Sequence, residues 1–356
     1  MTFRVLAALL CSAFASVAQG QTAPPPAPKA LEPVTALIDA LRTHDIVTIT
    51  DPHGNEQVQA LLLSVIRDAR FSMVAQDIVL ESASARYQDV LDRYVRGDEV
   101  PERSIRRVWE EHTVPTSLGV QTGELVRAVR AVNTSLPVNQ KIRVLAGDPP
   151  IDWESVTARQ DHLRWIELRD SYPADLIRRH VLDRGRRALV VYGQGHLQRA
   201  MIDLNYDTAP WQAQTVVSLV ARDPRVRLFN VFTWLRDGEL LRDVVATWPV
   251  PALAHLRGTS LGALDFGAFQ QPVGGQRVAL RDDKLVPVPR DQWKLMILEQ
   301  QFDALLYLGL PSSFTTAPVP PTLCQDATFM SQRLERLTRF GPPPEVQRLK
   351  KACGLP

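Results

Sequence analysis

Short runs of Val, Ile and Leu alternate along the chain with stretches whose apolar residues recur every three or four positions. That alternation is the pattern of a parallel sheet with helices on its faces. Continuous apolar runs predict strands over 45–50, 73–80, 142–146, 188–192, 226–234 and 304–308. Between the first two, Val58, Leu61, Leu62, Val65 and Ile66 form the stripe of a surface helix. Tyr87, Val90, Leu91, Tyr94 and Val95 repeat the spacing, and Gly97 stands where that helix would stop. The predicted class is α/β, a mainly parallel central sheet with helices on both faces. Residues 236–300 break the rhythm with scattered Pro and Gly, a Gly274-Gly275 turn and a hairpin pattern over 278–288, and they read as an insertion laid on the sheet.

The two ends carry different signals. Arg4, an apolar run over 5–17, small residues and a Pro-rich stretch over 23–28 read as a secretory signal peptide, cleaved after Ala18 or Gly20. The run is too short for a membrane span, and Leu9 and Leu10 ahead of Cys11 disfavour a lipoprotein signal. The resulting plan is a signal over 1–20, a linker over 21–35, an α/β domain over 36–315 and a C-terminal helical hairpin over 316–356. It predicts a periplasmic or secreted protein with no stable membrane span after cleavage. Signal removal leaves Cys324 and Cys353, an even pair in a compartment where disulfides persist. They are expected to be joined, clamping a hairpin whose first helix carries Met330, Leu334 and Leu337; two free thiols are the alternative.

Composition narrows the classes. With 356 residues, 45% hydrophobic and 22% charged, the chain is neither disordered nor fibrous. Lys and Arg number 41 against 39 Asp and Glu, a formal +2 that argues against a nucleic-acid partner and leaves a small molecule or peptide as substrate. Three cysteines are too few for a disulfide scaffold and lack zinc-ribbon spacing.

In open parallel sheets, ligands lie outside the carboxyl ends of the strands. There the chain is polar: Asp51, His53 and Asn55 follow the first strand, Glu81 the second, Asp148 the third, and a Gly193-Gln194-Gly195 turn leads to His196 after the fourth. His53, Glu81, His196 and Asp51 are the catalytic candidates, because imidazole with carboxylate partners activates water; His53, Glu81 and His196 are equally candidate metal ligands. A buried strand carries Glu81 at a cost unless it is paired or faces a cleft. Arg169, Asp148, Asp170 and Tyr172 are candidate substrate contacts, with turn formation at Asp148 and capping of a helix from Pro173 to Asp183 by Arg169-Asp170 as the plainer readings. Gly258-Thr259-Ser260-Leu261-Gly262 spells a nucleophile elbow, but Pro249 and Pro251 make the preceding stretch a poor strand, so a Gly-rich loop is preferred.

The segments DIVTITDPHGNEQ, RYQDVLDRYVRGDEV and IRVLAGDPPIDW, the pair Arg169-Asp170, the turn YGQGHL and the late FDALLYLG resemble an exported branch of the superfamily joining erythromycin esterase, ChaN-type haem-binding proteins and TIKI/TraB proteases. The likeness runs from about Asp45 to Gly309. It assigns His53 and His196 to the two superfamily histidines and Glu81 to the second-strand glutamate. Two positions depart: Thr50-Asp51 replaces Gly-Glu before the first histidine, and Tyr172 stands where histidine is expected after Arg-Asp. The resemblance implies a hydrolase acting on an ester or amide, with a divalent metal or haem as a possible cofactor. A haem or iron-ligand binding protein, with Tyr172 compatible with iron ligation, and an inactive member are its alternatives.

Overall fold

The structure is a computed structural model and describes residues 24–199, 214–234, 239–266, 278–281, 284–287, 289 and 296–356. The expected signal segment 1–20 and the expected Gly274-Gly275 turn lie outside the described residues. The main sheet has seven strands in the order β3-β2-β4-β1-β5-β9-β6. In chain order these are β1 (Ile46–Thr50), β2 (Asp77–Ser84), β3 (Arg143–Asp148), β4 (Ala188–Tyr192), β5 (Leu228–Thr233), β6 (Ala252–His255) and β9 (Ala304–Tyr307). All neighbours are parallel except β6 with β9. β7 (Val278–Arg281) and β8 (Lys284–Pro287) form a separate antiparallel hairpin where one was expected.

Alternation along the strands explains the layering. Ile78 and Leu80 of β2, Leu189 and Val191 of β4 and Val47 and Ile49 of β1 join a core shared with the helices Pro33–Thr43, Glu56–Arg67 and Val120–Asn133. Val79, Ala188, Val190 and Tyr192 point the other way, into a core shared with the helices Ser171–His180 and Val216–Val220. Because both faces are buried, the strands read as unbroken apolar runs. Among the described residues, no helix is long and apolar enough to cross a membrane.

Two strand expectations are corrected. Residues 73–80 do not form one strand: Phe71–Val74 is helical with Met73 exposed, and β2 begins at Asp77 and runs on to Ser84, so Glu81 lies inside the strand and not at its end. The stretch judged a poor strand contains β6, which starts directly after Pro251 and pairs with β9 at the sheet edge, where a proline costs no ladder bond.

The C-terminal helices Pro321–Gln325, Ala327–Phe340 and Pro343–Ala352 pack around Leu323, Phe329, Met330, Leu337 and Leu349. Cys324 and Cys353 are disulfide-bonded across them, with Cα atoms 5.3 Å apart. Leu118 and Val120 of the main domain pack against the same small core.

Candidate active site

The register of the sheet fixes the spacing of the site. Leu80 pairs with Val191, and Thr50 pairs with Tyr192. Residues following those positions therefore leave the same edge of three adjacent strands, roughly 5 Å apart from strand to strand. Glu81 from β2, Gly193 and His196 after β4, and Asp51 and His53 after β1 converge there.

Glu81 is the centre, 6% exposed and enclosed by donors. Its Oε1 receives the Arg169 guanidinium and lies 3.4 Å from His196 Nε2; its Oε2 accepts the Gly193 amide and lies 3.6 Å from His53 Nε2. Each imidazole has its own aspartate on the other ring nitrogen. Asp51 Oδ2 lies 3.2 Å from His53 Nδ1, and Asp170 Oδ1 lies 2.8 Å from His196 Nδ1. The result is a continuous array, Asp51, His53, Glu81, His196, Asp170. A side chain at Gly193 would put its Cβ 3.2 Å from both Glu81 Oε2 and His53 Nε2, so glycine is what allows the strand end to close on the pair.

Local structure holds the pieces. His53 has φ 52°, in the left-handed region that costs a non-glycine residue about 1 kcal/mol. Asp51 Oδ1 accepts its backbone N–H at 3.0 Å, and Gln121 braces the next residues by accepting from Gly54 N at 2.7 Å and donating to Asn55 O at 3.0 Å. Asp170 does not cap the helix Ser171–His180 with its side chain, as expected from sequence; its Oδ1 serves His196 and accepts from Val216 N at 3.0 Å. That helix ends at His180 and not at Asp183.

Electrostatics follow the contacts. Burial opposes the charged form of Glu81, but His196, Arg169 and His53 outweigh it and hold the carboxyl down at about 2. Burial also opposes the charged form of His53, yet the hydrogen bond to Asp51 and the charge of Glu81 raise the ring to about 9. The ring is 44% exposed, so solvent screens part of that pull. Asp148, fully buried, is pushed up to about 7 by burial against the opposing pull of Arg169 3.9 Å away and of Thr113, which donates through N–H at 2.7 Å and Oγ1 at 2.6 Å.

A cavity of about 300 Å³ opens beside this array, lined by Asp51, His53, Glu81 and Arg169 and by 114, 116–122 and 316–319. Of the residues singled out from sequence, Asp51, His53, Glu81, His196, Arg169, Asp148 and Asp170 come together here. Tyr172 is half-buried against the core beneath the helix that carries it and is not among the residues that line the cavity. Ser260 lies elsewhere. β6 runs antiparallel and its last residue, His255, pairs with the first residue of β9, so 258–262 leave the opposite edge of the sheet, in turns and not in a helix.

Several contributors carry no local sequence signal. Thr113, in a loop, and Gln121, at the start of the helix Val120–Asn133, act through backbone or polar groups brought in from distant parts of the chain. His112 is buried, accepts from Val114 N at 3.1 Å and donates from Nε2 to Ser117 O at 3.2 Å, which braces the far wall; burial drives its pKa well below the usual imidazole value.

The donor set does not suit a metal ion. Arg169 and the Gly193 amide already engage both oxygens of Glu81, and a guanidinium on the carboxylate repels a second cation. Among the described residues, no group of three His, Cys, Asp or Glu is arranged to hold a metal.

A scan against protein-family models gives no match, and neither does a search of curated proteins. Solved structures do match. A succinoglycan biosynthesis protein is similar with a TM-score of 0.52 and 10% identity, over 79% of this chain and 94% of that one. An erythromycin esterase mutant, EreC in its open conformation, gives 0.50 and 11% identity over 80% and 94%. Haem-bound ChaN of Campylobacter jejuni gives 0.38 and 13% identity over 60% and 89%. At these identities the likeness is one of architecture alone: the chain shares its fold with the succinoglycan biosynthesis protein and with the erythromycin esterase mutant.

Proposed function

We propose that the protein is an exported, periplasmic or secreted hydrolase that cleaves an ester or amide with a water activated by His53. The observation that carries this reading is the pairing of two Asp-His dyads on the two oxygens of one buried glutamate, beside an open cavity.

In the neutral ring, the bond to Asp51 keeps the proton on His53 Nδ1 and leaves Nε2 to accept one from water. The resulting hydroxide adds to the carbonyl carbon of the substrate. His196, paired with Asp170, gives a proton to the departing alcohol or amine as the carbon–oxygen or carbon–nitrogen bond breaks, and exchange with solvent then removes the proton taken up by His53 and replaces the one given by His196. Glu81, kept ionised by Arg169, favours the imidazolium formed at either ring. No step runs through a metal or haem.

The test is turnover of p-nitrophenyl esters and aryl amides by wild type, His53→Ala, His196→Ala and Ser260→Ala, each checked for folding by circular dichroism. The two histidine variants should fall at least about a hundredfold, with Ser260→Ala active. Retained turnover in folded His53→Ala overturns the assignment, and loss in Ser260→Ala transfers it to the elbow sequence. A saturable shift of the hemin absorption band that His53→Ala abolishes would replace hydrolysis by haem binding.

A further inference from the structure

A second cavity, of about 260 Å³, lies on the far side of the loop that walls the first. Val114 and Thr116 line both cavities, so one ridge of the chain separates them. The second is mainly apolar, formed by Val114, Leu163, Ile166, Phe340 and Pro342, with His162 and Arg159 as its ionisable members. Apolar residues also continue along the near side of the ridge in the first cavity, through Leu118, Val120 and Val319.

The ridge is held firmly. Arg333, 2% exposed, donates from Nη1 to Pro115 O at 2.9 Å and Ser117 O at 3.0 Å, the carbonyls on either side of Thr116, and from Nη2 to Glu110 O at 2.6 Å. A buried guanidinium with three carbonyl acceptors fixes a loop more tightly than packing alone. From the other side, His162 Nε2 donates to Thr113 O at 2.8 Å, and its ring stacks on Trp153 at 5.4 Å and tilts against Phe340 at 4.8 Å. Thr113 in turn binds Asp148 behind Arg169. The apolar hollow and the reacting groups are thus parts of one braced wall.

Resting on the hydrolase reading, we infer that this second cavity is an acyl subsite, and that the substrate is an ester of a medium-length apolar acid whose chain crosses the Val114–Thr116 ridge while its carbonyl sits at His53. Apolar walls on both sides of the ridge match a methylene chain, and each methylene buried favours binding by about threefold to fourfold. A polar or short acyl group would leave the hollow unfilled.

The experiment has two arms. The first measures kcat/KM for p-nitrophenyl acetate, butyrate, hexanoate and octanoate in wild type and in Ile166→Trp, which fills the hollow from a half-buried helical position. Wild type should gain tenfold or more from acetate to hexanoate or octanoate, and the ratio should collapse toward unity in the variant. A flat or falling series in wild type overturns the subsite. The second arm titrates octanoate into wild type and His53→Ala by calorimetry. Saturable binding in both, lost in Ile166→Trp and weakened to an intermediate degree in the gentler Ile166→Phe, supports the subsite even where no ester is turned over, and in that case only the hydrolase reading falls. No octanoate binding to wild type, together with no chain-length preference, removes the proposal.

Discussion

His53 and His196 approach opposite oxygens of the same carboxylate, at 3.6 and 3.4 Å from Glu81. Two rings that share one buried anion through different oxygens can hold positive charge in turn, and Arg169 on Oε1 keeps the anion ionised throughout. The symmetry is broken by exposure: the His53 side chain is 44% open and His196 only 17%, which suits the first to meet water.

The raised pKa of His53 gives a pH prediction. Its ring titrates at about 9 in the folded chain against about 6.5 unfolded. The stabilisation from its pairing is therefore complete below about 6.5 and lost as pH rises through about 9. Thermal stability of wild type should decline over that window, and Asp51→Asn, which removes the leading favourable contact, should flatten the decline. If neutral His53 is the base, kcat/KM rises over the same window as the ring deprotonates, and the rise moves to lower pH in Asp51→Asn. Histidine titration by NMR reads the shift directly; an unmoved His53 pKa in that variant contradicts it.

Gly193→Ala places a methyl 3.2 Å from both Glu81 and His53, in contact with the two reacting partners. The expected result is a kcat loss of about tenfold or more from displaced geometry, with a stability loss of about 1–3 kcal/mol from overpacking. Steady-state kinetics beside urea unfolding separates the two effects.

Asp77, fully buried at the start of β2, accepts forked hydrogen bonds from Arg143 and Arg186. It sits at the end of the strand away from Glu81. Asp77→Ala removes the shared carboxylate from Arg186 and from Arg143, which keeps its bond to His180 O; with both guanidinium groups reached by solvent the loss should be about 1–3 kcal/mol in chemical denaturation, while kcat/KM of the remaining folded protein stays as in wild type.

Breaking the Cys324–Cys353 bond, by Cys324→Ser with Cys353→Ser, removes a cross-link over 29 residues and should cost the C-terminal hairpin about 3–4 kcal/mol on the loop-closure model. The tail becomes cleavable by trypsin at native temperature. Since Arg333 lies in that tail, KM for long-chain esters should rise more than kcat falls, a split that simple loss of folded protein would not produce.

Much of the architecture is legible because β1, β3, β4, β5 and β9 are buried on both faces and so appear as plain apolar runs. β6 escaped because it has only four residues behind two prolines, and at an edge neither fact prevents pairing. The start of β2 was misplaced because Met73 and Val74 extend the apolar run backwards, although they close a short helix. At the site, the positions of Asp51, His53 and His196 follow from where parallel strands end, whereas Glu81 lies inside β2, at the point where its pairing with β4 stops after Leu80. The service of Asp170 to His196 and the hold of Arg333 on 115–117 depend on contacts across 26 to more than 200 positions, which no local pattern encodes.

Residues 51–53, 81 and 193 are spaced by the rungs of one hydrogen-bonded ladder, whereas the opposite wall of the cavity comes from a loop and a stapled tail with its own small core. The two halves meet at one clasp, where Gln121 and Ala317 hold the turn that follows His53. A lineage that exchanged its C-terminal segment would meet new molecules only by keeping that clasp, and one that altered the rungs would lose the chemistry whatever the tail admitted.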